Sequence, residues 1–173
     1  MKTTVFPYGI YAFTCAALLF IVILYVGQGL GFEVQEILGY LTIVVSLLFV
    51  YFGIKHFRDV ENQGIISLGK AIVIGILITV FASAGFTIAD TIYVTLINPD
   101  FAQQYFEYSL EKMETELSPE EFKIQKAVLT EQIEKYANPA FNAAVMFLTV
   151  IVIGCIVSLI SALVLHRKTG SST

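Results

Sequence analysis

The sequence predicts an all-α integral membrane protein in which four helices cross the bilayer. Hydrophobic residues make up 57% of the 173-residue chain and charged residues 14%, against about 25% charged residues in an average soluble domain. The charges are also confined to a few stretches between long apolar runs. A disordered chain would combine low hydrophobicity with high charge. These observations exclude an ordinary soluble domain and a disordered protein.

Four apolar stretches are long enough to span, since a crossing takes about 20 apolar residues. They cover about residues 8–27, 37–54, 71–97 and 140–165. The first is longer than the roughly 7–15 apolar residues of a cleaved signal peptide. We therefore expect one membrane domain, residues 1–173, with residues 98–138 as an insertion between the third and fourth spans.

The distribution of basic residues predicts the orientation, because Lys and Arg accumulate on the cytoplasmic side. One side carries six bases against the acids Asp59 and Glu61. These bases are Lys2, Lys55, Arg58, Lys70, Arg167 and Lys168. The other side carries Glu33, Glu36 and a 98–138 segment with nine acids and four bases. We expect a bacterial inner-membrane protein with both termini in the cytoplasm.

Three Asn-Pro or Ser-Pro pairs divide the 98–138 segment, at residues 98–99, 118–119 and 138–139. Each offers an N-cap residue followed by Pro at the first helical position, and Ser118 with Glu121 also forms a capping-box pattern. We predict helices over 99–117 and 119–136, joined as an extracytoplasmic two-helix hairpin, with the fourth span beginning at Pro139.

Both predicted helices are amphipathic. Their apolar stripes are Phe106, Leu110, Met113 and Leu117 in the first helix, and Phe122, Leu129, Ile133 and Tyr136 in the second. The stripes suit packing of the two helices on each other, or docking of a protein partner or a second copy. The acidic charge disfavours a helix lying on the membrane surface. Phe101, Tyr105 and Tyr108, beside the first stripe, are candidate lipid or partner contacts.

Asp90 is the candidate functional residue, because an acid inside a span is rare and often functional. It lies near the outer end of the third span, and we expect Thr87, Thr91 or Tyr93 to bond it locally. The two alternatives are a structural role at the interface and a role in ion or partner handling.

The cytoplasmic cluster Lys55, His56 and Arg58 is a candidate contact for anionic lipid head groups or a partner. The alternative is that these residues only set the topology.

Small residues predict close packing of the third and fourth spans. The fourth span carries Gly154, Ser158 and Ala162 at four-residue spacing, and the third is rich in Gly, Ala, Ser and Thr. We expect these two spans to form the central pair of a four-helix transmembrane bundle.

No cofactor, metal or catalytic site is predicted, because the chain has no metal-binding motif, phosphate-binding loop or nucleophile–base pair. The net charge of -4 disfavours nucleic acid as a partner. The leading functional hypothesis is a non-enzymatic structural or interaction protein, such as an accessory subunit of a membrane complex. The alternative is a small oligomeric transporter or channel subunit using Asp90, and an enzyme ranks third.

Three stretches resemble a bacterial family called domain of unknown function 4199. They are YFGIKHFRDVENQGIISLGKAIVIGIL (51–77), NPDFAQQYFEYSLEKME (98–114) and GCIVSLISALVLHRK (154–168). Together they carry a resemblance over nearly the whole chain. It implies a small four-span protein of a family found mainly in Bacteroidota, and it implies no activity or catalytic residue.

Overall fold

The computed structural model describes residues 1–167 and is all-α. The structure is 89% helical, and within residues 1–167 no strand forms beyond one isolated bridge between Ile66 and Arg167. Lys168, one of the six predicted cytoplasmic bases, lies outside the described residues. The all-α prediction is confirmed.

Six α-helices follow one another within residues 1–167. They are α1 (Lys2–Val26), α2 (Phe32–His56), α3 (Leu68–Ile92), α4 (Phe101–Glu116), α5 (Pro119–Tyr136) and α6 (Pro139–Leu165). A 3₁₀ turn follows α1 at Gly27–Gly29, and π-helical turns extend α2 over Phe57–Glu61 and α3 over Tyr93–Ile97. Four of these helices, α1, α2, α3 and α6, are long and apolar enough to cross a membrane.

Local capping explains where α5 and α6 begin. The Ser118 side chain accepts a hydrogen bond from the Glu121 amide while the Glu121 carboxylate accepts one from the Ser118 amide, which satisfies two end groups that the helix itself leaves free. The Asn138 side chain accepts from the amides of Ala140 and Phe141. Both predicted starts, at residues 119 and 139, are confirmed.

The predicted start of α4 at Pro99 is wrong by two residues. The helix begins at Phe101 with Asp100 at its N-cap position. The Asn98 side-chain amide donates to Gln104 Oε1 at 3.2 Å and to the Tyr93 hydroxyl at 3.5 Å. The Asn98 backbone carbonyl accepts from the Phe101 amide, so residues 98–101 form a turn and the helix begins only after it.

The most extensive helix–helix contact joins α3 and α6, as the small residues predicted, and α3 also contacts α1 and α2. A Cβ added at Gly75 would lie 2.6 Å from Ser158 Oγ, and one added at Gly154 would lie 2.6 Å from Thr79 Oγ1. No such methyl fits, so these two glycines bring the α3 and α6 backbones close together. Large apolar side chains cover the outward faces of the long helices, as suits contact with lipid.

Candidate functional site

A cavity of about 530 Å³ lies at one end of the four long helices, under α4 and α5. Side chains from all six helices line it. The apolar and aromatic walls include Phe20, Leu24, Phe32, Tyr93, Phe101, Phe106, Leu129, Ile133 and Met146. Small-molecule sites in proteins have volumes of about 300–1,000 Å³ and mostly apolar walls, so this cavity is the candidate functional site.

Asp90 lies in the cavity wall and is only 7% exposed. The Asn142 amide donates a hydrogen bond of 2.6 Å to Asp90 Oδ2. This bond joins α3 to the first turns of α6. The expectation that Thr87, Thr91 or Tyr93 would bond Asp90 is wrong, because the partner comes from 52 residues along the chain.

Sequence reasoning missed Asn142 because the acid that it bonds is not close to it in the chain. One signal was present. Asn142 is a polar amide within the first two turns of an otherwise apolar span, and a buried polar group of that kind needs a partner. Pairing it with Asp90, the one acid within the third apolar stretch, requires knowing that α3 and α6 are neighbours.

An aromatic cluster fastens α4 to the start of α2. The Phe32 ring lies 5.9 Å from Phe101, 5.7 Å from Tyr105 and 5.1 Å from Tyr108, between ring centroids. Phe101 also packs against Tyr93 at the end of α3, at 5.5 Å. The three α4 aromatics predicted as lipid or partner contacts thus contact Phe32 within the chain, and Phe101 and Tyr105 also line the cavity.

An ion pair reinforces this attachment at the surface. The Lys112 ammonium of α4 lies 2.6 Å from Glu33 in the first turn of α2. The neighbouring carboxylate raises the pKa of the Lys112 ammonium above its ordinary value. Both side chains are exposed to solvent, so the pair orients α4 and adds little stability.

The polar groups of the cavity are acidic or neutral. Glu36 lies at its exposed edge, and the amides of Gln35, Gln132 and Asn142 complete the polar wall with tyrosines. Among the described residues that line it, no Lys, Arg or His is present. The cavity therefore has a negative electrostatic character.

The basic cluster Lys55, His56 and Arg58 lies at the end of the long helices opposite to the cavity. Its three side chains have different surroundings. Arg58 is buried; it bonds both carboxylate oxygens of Asp59, at 2.6 and 3.0 Å, and donates to the Leu165 carbonyl at 3.3 Å. His56 packs against the Tyr8 ring at 5.4 Å. Lys55 is exposed. Only Lys55 of the three is well placed to contact lipid head groups; Arg58 satisfies the end of α6.

A second concavity is wider, at about 850 Å³, and is formed by the start of α1 and by Leu77 and Phe81 of α3. Among the described residues that line it, Lys2 is the one charged side chain and no buried polar group is comparable with Asp90. Within residues 1–167, no three His, Cys, Asp or Glu side chains cluster as metal ligands.

Comparison with known proteins supplies a family. A family model described as "Protein of unknown function (DUF4199)" matches residues 7–167. Neither the curated proteins nor the solved structures gave a match. Because the matched region covers nearly the whole chain, the chain belongs to the DUF4199 family.

Proposed function

We propose that the chain is a four-span protein of the bacterial inner membrane, with both termini in the cytoplasm and α4–α5 as an extracytoplasmic hairpin. The contacts at the two ends of the long helices support this arrangement. Arg58 bonds the end of α6, and Ile66 pairs with Arg167, which brings the predicted cytoplasmic segments together. Phe32 and Glu33 contact α4 at the other end.

Within this topology, the protein acts without catalysis, as an interaction protein or accessory subunit. One observation carries this proposal. Ile124 and Val128 stand on one face of α5 with 65% and 46% of their surface exposed, although Phe122, Leu129 and Ile133 of the neighbouring stripe are half-buried. An apolar edge left uncovered outside the lipid favours a contact with another molecule.

Charge favours a different protein as the occupant of this edge. The 98–138 segment carries nine acids and four bases, so two copies meeting through it would repel. An anionic lipid surface would repel it as well. The partner that fits has an apolar patch flanked by basic residues.

The test is the composition of the particle extracted gently into native-lipid discs, measured by native mass spectrometry. We expect a second protein in fixed ratio, lost in the double variant Ile124→Ser, Val128→Ser and kept in the control Gln125→Ser, which changes an exposed polar neighbour. Isolation of this chain alone, as a monomer or homo-oligomer, would contradict the accessory-subunit proposal.

A transporter or channel subunit is the second candidate, because the buried carboxyl group of Asp90 opens on a cavity. In vesicles containing the purified protein and a trapped pH dye, an imposed potential would drive proton entry. Asp90→Asn is expected to abolish this flux while the fold survives. Equal flux in the two proteins would remove Asp90 from a transport role.

A further inference from the structure

The cavity under α4 and α5 has a shape and a wall suited to a bulky apolar molecule. Aromatic rings line it from several helices, among them Phe20 on α1, Phe32 on α2 and Phe101 on α4. Rings of this kind bury large apolar groups and also attract cations through their faces. An occupant with an apolar body would therefore gain contacts on several sides.

Among the described residues that line the cavity, Asp90 is the single buried charge-bearing group. Its Oδ2 accepts from Asn142, whereas Oδ1 makes no hydrogen bond to the described residues and is not sealed inside the protein. Since Asp90 lines the cavity, this free oxygen is available to a molecule within it. A buried carboxyl group with a free oxygen and no basic neighbour lacks the partner that such groups normally have.

We propose that the cavity binds an amphipathic monocation, such as a lipophilic amine, whose positive group pairs with Asp90 and whose apolar body lies against the aromatic wall. Glu36, at the exposed edge of the cavity, adds negative electrostatic potential at its opening. This site goes beyond the proposed interaction role, and it requires neither a protein partner nor transport.

Other occupants fit the wall less well. An anion would meet Asp90 and Glu36 with no basic residue among the described lining to compensate for them. A bare divalent metal ion needs six or more oxygen ligands or several nitrogen and sulfur ligands, and the described residues offer no such group. A neutral apolar molecule would leave the free Asp90 oxygen unpaired.

The experiment compares two ions of similar shape and opposite charge, tetraphenylphosphonium and tetraphenylborate. Equilibrium binding of each to the full chain is measured in lipid discs, with empty discs subtracted. We expect saturable binding of tetraphenylphosphonium alone. Loss of the Coulombic attraction between the probe and the Asp90 carboxylate should weaken binding about tenfold or more in Asp90→Asn, whereas Asp100→Asn, the same change at an exposed residue outside the cavity, should leave it unchanged.

A second variant keeps the carboxyl group and removes the space. Ala102→Trp places a large ring in the cavity wall and should abolish binding. The melting temperatures of Ala102→Trp and Asp90→Asn are measured beside that of the wild type to check that both variants fold. Absence of saturable tetraphenylphosphonium binding, equal binding of tetraphenylborate, or unchanged affinity in both folded cavity variants would overturn the proposal.

The cation could be a free amine or the ammonium of a lipid head group. Discs of phosphatidylglycerol alone and discs containing phosphatidylethanolamine separate the two sources. Competition by phosphatidylethanolamine that Asp90→Asn abolishes identifies a lipid ammonium as the ligand, and equal tetraphenylphosphonium affinity in the two kinds of disc excludes the lipid ammonium.

Discussion

A single methyl group added at Gly154 should separate α3 from α6. The added Cβ would lie 2.9 Å from Thr79 Cβ and 2.6 Å from Thr79 Oγ1. Carbon atoms pack best at about 3.5–4.0 Å, so the Gly154→Ala methyl would overlap Thr79 Cβ by about 0.6–1.1 Å and would lie nearer still to Thr79 Cγ2. Because Thr79 is itself fully buried, we expect the two helices to shift apart.

The matched control is Gly39→Ala, where an added Cβ meets nothing within 4 Å. Both substitutions replace Gly by Ala within a helix, which raises the free energy of unfolding by about 0.5–1 kcal/mol. This contribution cancels when the stabilities of the two variants are compared. Overpacking costs about 1–3 kcal/mol. We therefore expect Gly154→Ala to be less stable than Gly39→Ala by about 1–3 kcal/mol.

Reversible unfolding in mixed micelles, titrated with SDS, measures this difference. Repeating Gly154→Ala in a Thr79→Ala background removes Thr79 Oγ1, which has no hydrogen-bond partner, and Cγ2, so part of the lost stability should return. If Gly154→Ala and Gly39→Ala unfold at the same SDS fraction, the close α3–α6 contact inferred from these glycines is refuted.

Three further predictions test other parts of the structure. Arg58→Ala should lower the melting temperature of the purified protein while Lys55→Ala does not, because Arg58 alone of the two is buried and bonds the end of α6; equal melting temperatures would refute this capping role. The hydroxyl and amide of Ser118 hold the pKa of the Glu121 carboxyl below its ordinary value of 4.5, so the cap stabilises α5 above that pH and loses its effect as the pH falls; the protection of amides at the start of α5, measured by hydrogen exchange relative to the intrinsic rate at each pH, should fall in acid in the wild type and stay constant in Glu121→Gln. Phe32→Ala should speed up exchange throughout α4 and leave α6 unaffected, since the ring packs on three α4 aromatics; unchanged exchange in α4 would show that other contacts hold it.

Features determined by residues close together in the chain could be predicted from the sequence. The starts of α5 and α6 depend on Ser118 and Asn138, whose side chains cap the backbone amides immediately after them. The four apolar stretches likewise follow from composition over about 20 residues. Asn98 shows the limit of this approach, because the same Asn-Pro pattern forms a turn over residues 98–101 there, and α4 begins two residues later than the pattern predicts.

The candidate site depends on contacts between residues far apart in the chain. Asp90 was singled out because an acid in a span is conspicuous, but its partner Asn142 is 52 residues away. Phe101, Tyr105 and Tyr108 were noticed as an aromatic group, yet their contact with Phe32 depends on how α4 folds back over α2. Single-sequence patterns report the period of a helix and not the neighbour that it meets.

The proposed orientation of the chain places α4, α5 and the cavity on the outer side of the membrane. Cysteine labelling tests it directly, after Cys15 and Cys155 are replaced by Ala. A membrane-impermeant maleimide added to cells with a permeabilised outer membrane should label Lys123→Cys, on the exposed surface of α5. Val60→Cys, exposed at the end of α2, should react only after the inner membrane is lysed. Labelling of Val60→Cys before the inner membrane is lysed, with Lys123→Cys protected, would contradict the proposed orientation.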